Sequence, residues 1–255
     1  KRQKFSFKFA MALIIALIFI TRIYRLNSLQ GLDFDEAMGG INSWSLANYG
    51  VDFHLTHNPI YLYAWGSGMN VLYPLLTVPF IKIWGLSIIT YRLPMALLGI
   101  ISSLFLISAL IYAKYPNRKI IVYSAIILLS PGTIIPSRWA VESNIFPILF
   151  TFILSFFIFF LYTQSPLKKV VWYWLIVVML GTSAYAYSSN WLFLFIFIIL
   201  FLCWSYRKHF ISIPKMIVVI FTFVLIDWPL VAFIYVNYVS HKQLTILGLT
   251  ITKLA

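Results

Sequence analysis

Apolar runs close to the length of a bilayer crossing recur along this chain with only short polar gaps between them, and this leaves few folds open. A helix needs about 20 apolar residues to cross the hydrocarbon core. The runs fall near residues 7–24, 93–113, 120–137, 145–163, 170–188, 191–206 and 215–236. With 62% hydrophobic and 10% charged residues, a soluble globular domain is excluded. The pattern predicts an all-α integral membrane protein, multi-pass in the cell membrane, with about seven transmembrane helices in one module over residues 1–255. The stretch 71–85, VLYPLLTVPFIKIWG, is short and carries Pro74, Pro79 and Lys82. It is predicted not to cross.

Charge placement supports that choice, because Lys and Arg accumulate in short cytoplasmic loops. With 71–85 kept outside, Lys1, Arg2, Lys4, Lys8, Lys114, Arg118, Lys119, Lys168, Lys169, Arg207, Lys208 and Lys215 fall inside, twelve of the 19 basic residues. If it crosses, the split becomes nine in and ten out. The excess of bases over six acids, a net charge of +13, therefore reads as a topology signal. No nucleic-acid partner is expected, because the bases sit in clusters between apolar runs and not along one face.

The opening KRQKFSFK and its apolar run have no small-residue cleavage site before Arg22 and Arg25, so a retained anchor is expected rather than a signal peptide. A first residue of Lys and an end without a polar tail suggest a piece of a longer protein, truncated at its C-terminus. Cys203 is the single cysteine and allows no intrachain disulfide.

The acids are the functional clue. Asp33, Asp35, Glu36 and Asp52, four of the six, lie within twenty residues of the first polar gap. This gap, about residues 25–91, is predicted to be an outer loop with interfacial helices. In DEAMGGINSWSLANYG, Ala37, Ile41, Trp44 and Ala47 recur at helical spacing and Gly50 suits a C-cap. At the start of such a helix, carboxylates could simply cap and solvate it. The predicted topology also puts Glu142 in the compartment of the acid-rich loop. No GxGxxG, GxxxxGK[ST], HExxH or GxSxG occurs, so nucleotide cradling, zincin and hydrolase chemistry lack support. His54 and His57 have no third metal ligand at a recognisable spacing.

Four segments, in order over about residues 5–160, carry a resemblance. DFDEAMGGINSWSLANYG resembles the Asp-Glu-Ala signature of the first outer loop of GT-C glycosyltransferases, which include the protein O-mannosyltransferases and the aminoarabinose transferase of lipid A. HNPIYLYAWGSG resembles their His/Lys-Pro-Pro-Leu-Tyr stretch, with Asn58 in place of the first proline. WGLSIITYRLP resembles their Arg-Leu-Pro segment, and SPGTIIPSRWAVESNIFP their Ser-Pro followed by Arg and an acid. The last third matches only as apolar spans.

The resemblance implies a glycosyltransferase. It would transfer a sugar from a polyprenyl-phosphate carrier to an acceptor hydroxyl in the cell envelope or on a secreted protein, at an active site on the extracytoplasmic side. The donor phosphate is a good leaving group, so a base for the acceptor is what remains to be supplied, and Asp35 suits that role. Glu36 would orient the base or hold an arginine. Arg138 and Arg92, with His57 and Glu142, would bind substrate. The four-residue spacing of Arg138 and Glu142 predicts a pair on one helical face. No cofactor is required by this reading, and a divalent metal stays open. For Arg22 and Arg25, headgroup contact or pairing with Asp33 and Asp35 is expected. Asp227, beside Trp228-Pro229 in the last run, is either functional or a helix cap. A transporter or lipid flippase, or a non-catalytic subunit of the same fold, is the alternative, although no internal repeat supports transport.

Overall fold

A computed structural model describes residues 2–28, 31–65 and 68–254. Of the positions singled out above, Lys1, Gly66 and Ser67, and the side chains of Arg2 and Lys4, lie outside the described residues. Among those described, ten α-helices run in order: α1 Arg2–Ile23, α2 Phe34–Tyr49, α3 Leu72–Trp84, α4 Ile88–Tyr112, α5 Asn117–Leu128, α6 Pro131–Ile134, α7 Ile145–Tyr162, α8 Pro166–Ser183, α9 Trp191–Arg207 and α10 Ile213–Tyr235. Two antiparallel hairpins interrupt this otherwise all-α membrane protein, β1 Tyr61–Leu62 with β2 Met69–Asn70, and β3 Leu244–Ile246 with β4 Leu249–Ile251.

Five helical segments are long and apolar enough to cross: Ser6–Ile23, Ile88–Tyr112, Glu142–Tyr162, Ser188–Arg207 and Ile213–Ser240. Two predicted spans differ. The run at 120–137 is broken, because α5 ends at Leu128 and Ser130-Pro131 starts the separate short α6. At 12 residues α5 rises only about 18 Å, well short of a bilayer core. The run at 170–188 is α8, which starts at Pro166, brings Lys168 and Lys169 into its first turn and stops at Ser183. Helix α3, 13 residues long, covers the stretch predicted not to cross, and its rise of about 20 Å is too short to do so.

The largest core joins α4, α7, α8, α9 and α10 through Met95, Phe152, Phe156, Phe160, Tyr173, Leu180, Phe201 and Phe223. A second joins α1, α4 and α5 through Ile14, Ile18, Leu106, Ile107 and Leu128. In lipid such contacts are held by close packing more than by exclusion of water, so small residues matter where elements approach. Gly39 of α2 faces Tyr91 of α4 so closely that a Cβ there would lie 2.0 Å from the phenol oxygen. That contact seats α2 against α4.

Candidate active site

The acid-rich loop forms the helix start that its sequence predicts. Asp33 is the N-cap of α2 and its Oδ1 accepts the Asp35 N–H at 2.9 Å, while Glu36 reaches back to the Asp33 N–H at 3.3 Å, completing a capping box. Gly50 ends the helix in the left-handed region at φ 69°. The box leaves Asp35 exposed, and no hydrogen bond to its carboxylate occurs among the described residues.

Glu36 points the other way. It is 1% exposed and receives the Arg92 Nε at 2.8 Å and Nη2 at 2.5 Å, together with the Ala140 N–H at 2.8 Å. Arg92, 2% exposed, also donates to the carbonyls of Leu26 at 3.0 Å and Gly31 at 2.6 Å. This network ties the start of α2, the end of the α1 connection, α4 and the loop before α7. Arg92 is thus held within the fold by the Glu36 carboxylate and two backbone carbonyls.

The same loop before α7 carries Glu142, which opens a 3-10 turn, Glu142–Asn144. Its carboxylate accepts the Asn70 backbone N–H through Oε2 and the Asn70 amide through Oε1 at 3.3 Å. Asn70 sits opposite Tyr61 in the β1–β2 hairpin, and its amide lies 3.4 Å from the Tyr61 hydroxyl. Burial raises the pKa of this phenol above its ordinary value, while a hydrogen bond with Ser188 works the other way. Tyr61 is therefore a neutral hydroxyl near pH 7.

These pieces enclose one cleft of about 610 Å³, whose wall includes Asp33, Asp35, Tyr61, Trp139, Glu142 and Ser188. Gly68 lines it with φ +86°, and a Cβ there would meet the Tyr61 ring at 2.5 Å, so glycine is required twice over. The structure brings Asp35 and Glu142 to a common space from sequence positions more than a hundred residues apart.

Other expected residues are placed elsewhere. Arg138 and Glu142 do not pair, because the chain between them is not helical: Val141 is extended at φ −87°, ψ 150°. The Arg138 guanidinium instead donates to the carbonyls of Thr21 and, at 2.5 Å, Tyr24, capping the C-terminal end of α1. Desolvation lowers its pKa from the ordinary value, with the neighbouring Arg92 charge acting in the same sense. Arg22 neither reaches headgroups nor pairs with an acid; it is buried and donates to the Leu128 carbonyl at 2.9 Å, at the end of α5. Asp52, fully buried, closes its own loop by accepting the N–H groups of His54 at 2.9 Å and Thr56 at 2.8 Å.

His57 lies in a second cleft of about 620 Å³ with His54, Tyr63, Gln243, Thr245 and Thr250. Sequence reasoning missed the floor of that cleft. The β3–β4 hairpin docks on the segment leading into β1, with Ile60 donating to Thr250 at 3.2 Å, Thr250 to Asn58 at 3.0 Å and Thr252 Oγ1 to Tyr61 at 2.7 Å. Among the described residues, no three His, Cys, Asp or Glu side chains converge.

No protein-family model and no curated protein matches the sequence. Two solved structures match the fold, both of ArnT from Cupriavidus metallidurans. The apo form superposes with a TM-score of 0.63 at 15% identity, covering 89% of this chain and 42% of that one. The form bound to undecaprenyl phosphate gives a TM-score of 0.61 at 14% identity, covering 89% and 41%. The chain thus spans less than half the length of those proteins. Over the 89% of its length that superposes, this all-α membrane protein has the fold of the ArnT structures.

Proposed function

We propose that this chain carries the reaction centre of a lipid-linked-sugar glycosyltransferase, acting on the extracytoplasmic side of the cell membrane. The observation that supports this best is the convergence of Asp35 and Glu142 on one cleft, braced from behind by the buried Glu36–Arg92 pair. The fold shared with ArnT, one of whose structures holds undecaprenyl phosphate, supports a polyprenyl-phosphate sugar donor and contact with membrane lipid.

In this reading the acceptor hydroxyl enters the cleft beside Asp35. Its oxygen forms the new bond to the anomeric carbon as its proton passes to the Asp35 carboxylate. The bond from that carbon to the carrier phosphate breaks, and its electron pair leaves with the phosphate. Glu142, fixed by Asn70, orients the acceptor across the cleft from Asp35. Glu36 acts through its grip on Arg92 and Ala140, which holds the two loops in register.

No Lys or Arg is among the residues lining the cleft. Arg138, beside the lining residue Trp139, is the guanidinium assigned to the donor phosphate. It would exchange the Tyr24 carbonyl for a phosphate oxygen, a stronger, charge-assisted acceptor. The acceptor class remains a hydroxyl of the cell envelope or of a secreted protein.

Two experiments test the reading. Transfer of sugar from a polyprenyl-phosphate donor by the purified protein in proteoliposomes should depend on Asp35; carrier binding without any transfer would leave a non-catalytic role. Cysteines placed at the exposed positions 55 and 116, in a Cys203→Ser background, should label from outside and from inside respectively. Labelling of position 116 from outside would invert the proposed side.

A further inference from the structure

Helices α7 to α10 alternate in direction, so their far ends gather at one place. The cleft-lining turns precede α7 and join α8 to α9, while Tyr162, Pro166, Arg207 and Ile213 mark the opposite end. That far end carries Lys168, Lys169, Arg207, Lys208 and Lys215 and no acidic residue. Among the described residues the only ion pair is Arg92–Glu36, so none of these bases is neutralised by a carboxylate.

Between α8 and α10 at this end lies a groove of about 440 Å³, within the range of small-molecule sites. Its lining is apolar and ring-rich, with Phe160, Tyr173, Trp174 and Phe210, and two of the lysines, Lys169 and Lys215, belong to the same wall. The Lys169 ammonium lies over the rings of Phe210 at 4.9 Å and Phe160 at 5.4 Å, which directs it at this aromatic wall. Contact with ring faces leaves its N–H groups free to donate.

We propose that this groove binds an anionic phospholipid, its phosphate taken by Lys169 and Lys215 and an acyl chain laid against the aromatic wall. The argument is charge complementarity joined to an apolar interior. Two lysines without acids call for an anion, and a free phosphate ion would gain nothing from the rings below them. A lipid uses both. By the charge bias of the loops, the leaflet concerned is the cytoplasmic one, which carries the anionic lipids that basic residues attract. The site is separate from the acidic cleft and does not depend on the transfer reaction.

The test is retention of lipid by the purified full chain in detergent, read by native mass spectrometry with phosphatidylglycerol against phosphatidylcholine. Phosphatidylglycerol should be retained preferentially. Each lysine near a membrane surface contributes about fivefold in affinity, so K169Q/K215Q should bind about 25-fold less tightly, and K169R/K215R should restore binding. Lys168 shares the turn but does not line the groove, so K168Q should change binding less than twofold. Val218→Trp, which fills the groove beside intact lysines, should lower retention as well. Equal retention of the two lipids, equal losses in K168Q and K169Q, or displacement of phosphatidylglycerol by millimolar inorganic phosphate would each overturn the proposal. The last outcome would mark a site for a free anion.

Discussion

Two clefts of nearly equal size, about 610 and 620 Å³, open from the same first loop, one lined by carboxylates and the other by histidines. The acidic cleft rests on side-chain bonds, Glu36 to Arg92 and the Ala140 N–H and Glu142 to Asn70, beside the exposed Asp35 carboxylate. The histidine cleft rests on backbone contacts to the β3–β4 hairpin, and its two histidines are exposed, with His54 meeting the Tyr63 ring at 4.7 Å. Volume therefore does not distinguish the two. The difference is a buried polar network behind one of them, Glu36 with Arg92 and the Ala140 N–H, which joins the start of α2 to the loop that carries Glu142.

The largest effect expected is on turnover. Asp35→Asn keeps the shape of the side chain and removes the proton acceptor, so transfer should fall about 10²- to 10⁴-fold while carrier binding persists. Near-normal turnover would erase the contrast between the clefts. Next comes stability: Arg92→Met leaves Glu36 buried without its partner, a loss of about 3–5 kcal/mol, to be read from unfolding of the detergent-solubilised protein. If unfolding is unchanged, the network is not what holds the acidic cleft.

Gly68→Ala forces a Cβ into a left-handed residue and against Tyr61, with an expected loss of about 1–3 kcal/mol and a raised KM as the ring is pushed into the cleft. A raised KM with no loss of stability would place the strain in the ligand-bound state only. The smallest effect belongs to His57→Ala, which should change kcat/KM less than about threefold, under 1 kcal/mol. A tenfold or greater loss would join the two clefts into a single substrate path.

Much of this was legible in the sequence. Hydropathy located the five helices long and apolar enough to cross, along with two runs that are not, the short length of 71–85 set it apart from the spans, and Asp33, Glu36 and Gly50 announced both ends of α2. The Glu36–Arg92 pair was not legible, because its members are 56 residues apart and no local pattern reports a long-range partner. Arg138 and Glu142 were paired by assuming helical spacing where the backbone is extended. The β3–β4 hairpin was hidden for a different reason. Its turn, Leu247-Gly248, has positive φ at both residues but lacks the Asn or Asp that usually signals such a turn.

That hairpin has a consequence in time. Tyr61, at the wall of the acidic cleft, takes its bond from Thr252, and Asn58 reaches Gly248, 190 residues further along. A chain made from its N-terminus inserts α1 and exposes the loop long before residue 250 exists. The loop therefore stays unfinished through the insertion of every later helix, and its closure is a slow, non-local step that waits for the end of this segment. A ribosome-stalled chain ending before residue 244 would carry all the acids of the cleft and lack the strand that sets one of its walls.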